Sequence, residues 1–416
     1  MNKVSQLFLQ ALKASLQSEK ILWDQEVSEE EWKTLFFLAQ KHQVLPMIYE
    51  AVYSCQDVQN LPPETRQMWK SQVIRAVMVQ SLKTEEFVRL YRQLAENGIH
   101  PKVVKGITCR RLYPNPDHRV SGDEDILIRE DTFSKFHEAM LNCGMELAIP
   151  EQDMEAEYEV TYGKKTSPLM IEAHKSLFPP QSEAYGELNR YFEQVWDQEH
   201  AVTILGTEIH TLPPTDNLFY LICHAFKHFL HSGFGIRQVC DIILFANAYG
   251  AEVQWEQLLM QCREIHAEKF TAALFQIGEK YLVFDPQKAA YPEEWSRIEV
   301  DESLLLSDLL EGGIFGDASM SRKHSSNITL HAVSAEKRGK TNSFSLLKTV
   351  FPSAEDLKGR YGYLQKHPYL LPAAWAQRAA GYHKETQKME NNQAMDAIKI
   401  GSRRLELLKY YDILNH

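Results

Sequence analysis

The stretch RVSGDEDILI, from Arg119 to Ile128, places Asp123 and Asp125 at the start of a short apolar run. The run predicts a β-strand, and residues i and i+2 of a strand point to the same face of its sheet. Two carboxylates on one face repel each other and lose solvation on burial, so such a pair needs a compensating positive charge. A bound divalent cation would supply that charge, whereas a solvated loop edge would not need one.

A second apolar segment, LMIEAH, carries Glu172 in another predicted strand, 47 residues after Asp125 (172 − 125). A neighbouring strand could therefore present a third carboxylate beside the pair. Mg²⁺ prefers oxygen ligands and commonly binds through one or two carboxylates together with substrate phosphates. Two such ions can bind the attacking and leaving oxygens of an in-line phosphoryl displacement. The three acids therefore favour a site for phosphoryl transfer.

The chain just before the two aspartates is basic, although the protein as a whole is acidic. A turn at Lys105 and Gly106 precedes a predicted short helix, whose free backbone N–H groups would suit a phosphate. Between Pro101 and Val120 five basic residues accompany one acid, Asp117, which leaves a local excess of four positive charges (5 − 1). The five are Lys102, Lys105, Arg110, Arg111 and Arg119. Such an excess is a suitable neighbour for a polyphosphate.

The composition of the 416 residues, 44% hydrophobic and 24% charged, predicts a globular protein of two or three domains. The net charge of −11 argues against a broad surface for duplex DNA, which requires clustered Lys and Arg. The six cysteines show no CxxC spacing, so we predict reduced thiols. No apolar run reaches a membrane-spanning length, and MNKVSQLFLQALKASL is interrupted by polar residues, unlike a signal peptide. We therefore predict a cytoplasmic protein that binds no membrane.

Hydrophobic periodicity divides the chain into three predicted segments. Residues 1–98 are predicted to be helical, and residues 99–212 combine short strands with helices. Residues 213–416 are predicted to be helical again, with a long loop near 312–342 where Gly, Ser, Lys and Arg are frequent. The predicted fold class is α+β, a small mixed-sheet domain between two helical segments.

The run VVKGITCRRLYPNPDHRVSGDEDILI, followed by FHEAMLNCGM and LMIEAH, resembles the uncharacterised bacterial nucleotidyltransferases of the polymerase-β-like superfamily. The likeness extends to LICHAFKH, IRQVCDIILF and VFPSAEDLKGRY, and the order of these motifs is more specific than any one of them. By this resemblance Asp123, Asp125 and Glu172 are the catalytic, metal-binding carboxylates. The implied cofactor is Mg²⁺, with Mn²⁺ as the alternative.

The same resemblance implies which residues bind the nucleotide phosphates. They are Lys105, Gly106, Arg119 and Gly122. The sequence departs from the superfamily pattern at the turn, where Lys-Gly replaces Gly-Ser, and at the third carboxylate, which is Glu rather than Asp. It also has Glu124 between the aspartates, where an apolar residue is usual. Glu124 would point away from the metals, so it requires a partner of its own or solvent.

A further group of candidate residues lies around the predicted helix HAFKHFLH, in which His224 and His228 are one turn apart. With Asp241 they could form the metal site of a hydrolase, or they could pack at an interface within the helical segment. A third interpretation is that they line a nucleotide or acceptor pocket. His174 is predicted to point the same way as Glu172, either to contact substrate or to bond that carboxylate. The candidate pocket residues are His174, His224, Lys227, His228, Arg237 and Asp241.

Three functions are compatible with these patterns. The first is Mg²⁺-dependent transfer of a nucleoside monophosphate from an NTP to a hydroxyl of a small molecule, sugar or protein, with release of pyrophosphate. The second is a nucleotide-binding or regulatory protein on the same fold without turnover. The third is the His/Asp metal hydrolase. The acidic net charge disfavours a long nucleic acid as acceptor. The sequence predicts neither the base of the NTP nor the oligomeric state.

Overall fold

The computed structural model of the chain describes residues 1–23, 25–151, 153–231, 233–312, 329–330, 332–334, 336–337, 367–377 and 394–414. The loop predicted near 312–342 therefore lies mostly outside the described residues, as does the motif VFPSAEDLKGRY. The described residues between 329 and 337 are helical rather than loop.

Helices precede and follow a small sheet, which confirms the predicted α+β fold class. The helices before the sheet and within it are α1 (Lys3–Leu16), α2 (Glu29–Lys41), α3 (Leu45–Val52), α4 (Gln56–Asn60), α5 (Pro63–Glu96), α6 (Ile107–Arg110) and α7 (Phe133–Asn142). Those after it are α8 (Pro214–His231), α9 (Ile236–Tyr249), α10 (Trp255–Glu264), α11 (Glu268–Tyr281), α12 (Glu293–Ser296), α13 (Glu302–Gly312) and α14 (Ala394–Tyr410). No helix in the described ranges combines the length and the apolar character needed to cross a bilayer.

The strands form a five-stranded mixed sheet and a separate hairpin. The strands of the sheet are β1 (Lys102–Val103), β2 (Glu124–Leu127), β3 (Glu146–Leu147), β4 (Glu159–Lys164) and β5 (Ser167–His174), in the order β1-β2-β5-β4-β3. The hairpin pairs β6 (His200–Ile204) with β7 (Thr207–Thr211). Within the sheet β2 and β5 are parallel, and the other neighbouring strands are antiparallel. The parallel pair is the feature that brings distant acidic residues together.

Local sequence signals account for the ends of several helices. At the start of α2 the Ser28 hydroxyl accepts a bond from the Glu31 N–H while the Glu31 carboxylate accepts one from the Ser28 N–H, which is a capping box. The 34-residue helix α5 begins at a proline and ends one residue before Asn97. Gly98 follows with φ +67°, a conformation that glycine adopts without strain.

Two hydrophobic cores hold the elements together. One contains the C-terminal half of α5, α7 and the buried faces of the sheet strands. The other contains α1–α3 together with the helices from α8 onward, so the two helical segments share one core. His42 illustrates this sharing, because its Nδ1 accepts a bond from the Ile236 N–H at 3.2 Å. The domain borders at 98 and 212 remain a prediction.

Candidate active site

The parallel pairing of β2 with β5 places Asp125 directly beside Glu172. Neighbouring strands are about 4.8 Å apart, so two side chains on the same face at paired positions come close together. One carboxylate oxygen of each residue and one ring nitrogen of His174 lie within 4.8 Å of one another. Asp125 is buried, whereas the Glu172 side chain keeps 29% of its exposure. The site is therefore open to a ligand on the Glu172 side.

Asp123 lies one residue before β2 and is half-buried. The loop before it is fixed by α5, from which Lys83 Nζ donates to the carbonyl oxygens of Ser121 at 2.9 Å and Gly122 at 2.8 Å. Gln80 Oε1 also accepts a bond from the Ser121 N–H at 2.8 Å. Gly122 is exposed, and no atom lies within 4 Å of where its Cβ would be. The predicted role of Gly122 in phosphate binding stays a prediction.

Lys105 supplies a positive charge to the two strands. Its Nζ lies 2.9 Å from Oδ2 of Asp125 and 3.2 Å from Nε2 of His224. The next residue, Gly106, has φ +71°, and a Cβ there would lie 2.0 Å from Oε2 of Glu124. Glycine is therefore required at this turn for both its backbone conformation and its lack of a side chain.

Glu124 fills the space beneath that turn and has the partner that its burial requires. Its Oε2 accepts a bond of 2.6 Å from the Ile107 N–H, and its Oε1 accepts one of 2.6 Å from Nη2 of Arg110. The side chains of Arg110 and Glu124 are both buried, with 1% exposure each. The N–H at the start of α6 is consequently engaged by Glu124 and is not free for a phosphate, in contrast to the expectation from the turn.

Arg119 and Asp241 are bound to each other. Nε and Nη2 of Arg119 donate to the two carboxylate oxygens of Asp241 at 2.7 and 2.6 Å, and the Tyr113 hydroxyl donates to the same carboxylate at 2.8 Å. All three side chains are buried. Two N–H donors of Arg119, which was predicted to bind phosphate, are therefore engaged by Asp241. The hydrolase interpretation loses its carboxylate ligand, because both oxygens of Asp241 are already engaged.

The helix α8 forms a wall beside the carboxylates. The rings of His224 and His228 lie 4.6 Å apart between centroids, and Nζ of Lys227 lies 6.0 Å from the centroid of the Tyr185 ring. Nε2 of His224 lies 3.2 Å from Nζ of Lys105, which contacts Asp125, so this helix lies beside the acids. The pocket-wall interpretation of these three residues therefore has geometric support.

Arg237, at the start of α9, is buried and bonded to other residues of the protein rather than lining the pocket. Its Nη1 donates to Oε1 of Gln43 at 2.7 Å and also to the carbonyl oxygen of Val120. Arg237 therefore ties an N-terminal helix connection to the loop that leads to Asp123.

Burial and charge set the protonation of the site. Burial, followed by repulsion from Asp125 and Asp123, raises the pKa of Glu172 from 4.5 to about 8. Burial alone would raise the pKa of Asp125, but Lys105 and His174 hold it well below its ordinary value. Conversely, burial would lower the pKa of Lys105, and attraction to the acids raises it instead. Asp125 and Lys105 therefore remain charged at neutral pH, whereas Glu172 retains a proton when no cation is bound.

His224 and His228 are neutral because both are buried beside a positive charge. Burial, followed by the charge of Lys105, holds the pKa of His224 well below its ordinary value. Burial, followed by the charge of Lys227, lowers the pKa of His228 to about 3. The wall formed by α8 therefore carries its positive charge on Lys227.

His174 closes the group at the end of β5 with 4% exposure. Its Nε2 lies 3.4 Å from Oδ1 of Asp125 and 3.9 Å from Oε2 of Glu172, while its Nδ1 lies 3.5 Å from Oε2 of Glu159. These separations exceed an ordinary N–H···O hydrogen bond. Glu159 was not a candidate from the sequence, because only the pairing of β4 with β5 brings it opposite His174.

A separate cavity of about 660 Å³ lies between α3 and α5. Its lining includes Tyr49, Tyr53, Arg66, Lys70 and His118 and does not include the acids of β2 and β5. The candidate catalytic residues Asp123, Asp125 and Glu172 therefore do not line this cavity.

Comparison with known proteins agrees with the geometry. The model of a protein family described as "Uncharacterised nucleotidyltransferase" matches residues 28–282, which include the whole mixed sheet, both aspartates and Glu172. No curated protein and no solved structure shows detectable similarity to the chain. The match covers more than half of the 416 residues. The chain therefore belongs to this family of uncharacterised nucleotidyltransferases.

Proposed function

We propose that the protein transfers a nucleoside monophosphate from an NTP to a hydroxyl group of an acceptor and releases pyrophosphate. The observation that carries this proposal is the register of the parallel strands, which sets Asp125 against Glu172 from segments 47 residues apart (172 − 125). Asp123 lies just before the same strand. Family membership supports the general activity, and the paired acids support its dependence on a divalent cation.

The residues present fit such a cation. Both ring nitrogens of His174 are buried beside Asp125 and Glu172 and make no hydrogen bond to any residue within the described ranges. Burial, followed by repulsion from Asp125 and Asp123, raises the pKa of Glu172, so a cation beside Glu172 would offset that repulsion. Asp123, Asp125 and Glu172 would bind the ion, which when bound supplies positive charge to the triphosphate and to the acceptor oxygen. We expect Mg²⁺ in this role, with Mn²⁺ as the alternative.

The side chains of the protein supply positioning and charge. Lys105 brings positive charge to the acids, and Lys227 adds a second positive charge from the neighbouring helix α8, beside which the triphosphate would lie. As an ionised carboxylate beside the cation, Glu172 is placed to accept the proton of an acceptor hydroxyl. The neutral imidazole of His224 bonds Lys105 and fixes its position. Because phosphoryl transfer asks little covalent chemistry of the protein, these roles suffice.

The acceptor is proposed to be a small molecule, a sugar or a protein hydroxyl. The net charge of −11 disfavours a long nucleic acid. The six cysteines are free thiols, which agrees with the proposed cytoplasmic location.

The first test is nucleotide binding. Thermal unfolding would be followed with ATP, CTP, GTP and UTP, each with and without Mg²⁺, for the wild type and for Asp123→Asn combined with Asp125→Asn. The expected result is a stabilisation that requires both the cation and the aspartates. Asp131→Asn, an exposed acid after the same strand, is the matched control and should behave as the wild type. Transfer of a labelled nucleotide then tests turnover.

The second candidate is a nucleotide-binding protein that does not turn over. The ion pair of Lys105 with Asp125 favours it, because a lysine already neutralises one of the proposed metal ligands. Stabilisation by a nucleotide that is independent of the cation and survives the double substitution would support this candidate. Cation-dependent stabilisation together with label transfer would exclude it.

A further inference from the structure

His174 is a buried imidazole without a partner that satisfies it. It is 4% exposed, and neither ring nitrogen reaches hydrogen-bond geometry with any residue in the part of the chain that the structure describes. A buried polar group left unsatisfied costs about 1–3 kcal/mol. Its Nε2 nevertheless points at two proposed metal ligands, Oδ1 of Asp125 at 3.4 Å and Oε2 of Glu172 at 3.9 Å.

We infer that Nε2 of His174 is itself a metal ligand beside Asp125 and Glu172, and that the resulting mixed nitrogen and oxygen site prefers Mn²⁺ to Mg²⁺. The inference rests on the proposed function, since it concerns the cation of the same site. Imidazole suits first-row transition metals, whereas Mg²⁺ is bound through oxygen. A carboxylate-only site would show a smaller preference for Mn²⁺.

The separations fit one ion. Two ligand atoms that are each about 2.1 Å from an ion can be at most about 4.2 Å apart. The distances of 3.4 and 3.9 Å from Nε2 to the two carboxylates lie within that limit. The three ligand atoms all lie within 4.8 Å of one another, so the longest separation needs to shorten by at most about 0.6 Å. The partly exposed carboxylate of Glu172 can rotate by that amount.

Lys105 does not occupy this position. Its Nζ lies 2.9 Å from Oδ2 of Asp125, while Nε2 of His174 lies 3.4 Å from Oδ1. The two oxygens of one carboxylate thus face different partners. A cation at Oδ1 leaves the ion pair with Lys105 in place.

Glu159 lies on the side of the His174 ring where a metal-bound histidine usually has its second partner. Its Oε2 lies 3.5 Å from Nδ1 of His174, and the two residues are paired in the register of β4 and β5. A carboxylate at Nδ1 keeps the proton on that nitrogen and leaves Nε2 free to bind a metal. Glu159 is therefore a positioning residue.

The test measures the nitrogen ligand directly. Mn²⁺ is bound to the full chain, and electron spin-echo envelope modulation is recorded for the wild type, His174→Gln and His100→Gln. His100 is exposed and serves as the matched control. Modulation by ¹⁴N is expected in the wild type and in His100→Gln and is expected to disappear in His174→Gln. The ratio of Mn²⁺ to Mg²⁺ affinity, from titration of each ion, should fall at least about tenfold in His174→Gln, because even outer partners of metal-bound histidines contribute about 10- to 100-fold.

The outcomes separate this inference from the proposed function. Absence of nitrogen modulation in the wild type overturns the inference without any variant, and so does its persistence in a folded His174→Gln protein. An unchanged affinity ratio in that variant also overturns it. Nitrogen modulation that depends on His174 in a protein that transfers no labelled nucleotide supports the inference and counts against the proposed function. Label transfer without nitrogen modulation leaves the proposed function intact and refutes the histidine ligand.

Discussion

Replacing Glu172 with glutamine is expected to stabilise the metal-free protein at alkaline pH and to abolish most of its stabilisation by Mg²⁺. Without a cation, burial and the neighbouring acids raise the pKa of Glu172 to about 8. A group whose pKa is raised on folding contributes stability that is fully present below its unfolded pKa and is lost as pH rises through the folded pKa. The wild type should therefore lose stability between about pH 4.5 and pH 8.

The size of this loss follows from the two pKa values. The difference between about 8 and 4.5, at 1.36 kcal/mol per pKa unit, gives an upper bound of about 5 kcal/mol. The side chain is 29% exposed, so solvent screening reduces this value, and we expect about 1–3 kcal/mol at pH 9. Glutamine carries no charge at any of these pH values, so the variant should not show this part of the pH dependence.

A bound cation is expected to make the wild type more stable than Glu172→Gln, which reverses their order of stability in the absence of the cation. Mg²⁺ at 100 times its dissociation constant would stabilise the wild type by about 2.7 kcal/mol, and the variant should gain much less. The assay is urea unfolding at pH 5, 7 and 9, in EDTA and in Mg²⁺. Glu138→Gln, an exposed acid on α7, is the matched control and should follow the wild type throughout. If Glu172→Gln is no more stable than the wild type at pH 9 in EDTA, or gains as much from Mg²⁺, the convergence of acids on a cation is refuted.

Three further predictions concern the supports of the site, each measured as the free energy of unfolding. Gly106→Ala should destabilise the protein more than Gly98→Ala, because both glycines have a positive φ but only at Gly106 would a Cβ meet Glu124, at 2.0 Å. We expect Gly106→Ala to lose about 2–4 kcal/mol and Gly98→Ala about 1 kcal/mol, and equal losses would contradict this prediction. Arg119→Met should lose about 3–5 kcal/mol because it leaves Asp241 buried and unpaired. Adding Asp241→Leu should restore most of that stability, and a double variant as unstable as Arg119→Met would argue against the ion pair as the cause. Lys83→Met should lose about 1–3 kcal/mol and also weaken Mg²⁺ binding, because the carbonyl groups before Asp123 lose their donor. An unchanged affinity for Mg²⁺ would show that Lys83 does not hold the loop before Asp123.

The fold class and family could be predicted because they depend on short-range patterns. The two-residue period of a strand places Asp125 on one face, and the apolar segment around Glu172 predicts a second strand of the same kind. The structure adds their parallel register, which no local pattern specifies. The end of α5 at Asn97 and Gly98 was likewise predictable from turn chemistry.

What could not be predicted depends on contacts between distant segments. Arg119 lies in a basic stretch that suits phosphate, but it pairs with Asp241, 122 residues later, after both are buried. Glu159 is one of many acids in the sequence and gains its place beside His174 only through strand pairing. The long-range partner, rather than the residue type, decides the role of a charged side chain inside a folded protein.

The alternation of the Asp-Glu-Asp triplet has a consequence for mutagenesis of this protein. The middle acid, Glu124, fastens the turn of Lys105 and Gly106 to the strand from the opposite face, through the Ile107 amide and Arg110. A systematic scan of the triplet would thus find three intolerant positions in a row, although the central one would never meet a substrate. Loss of activity at Glu124 would report a displaced Lys105, and counting Glu124 as a further metal ligand would assign one carboxylate too many to the proposed site.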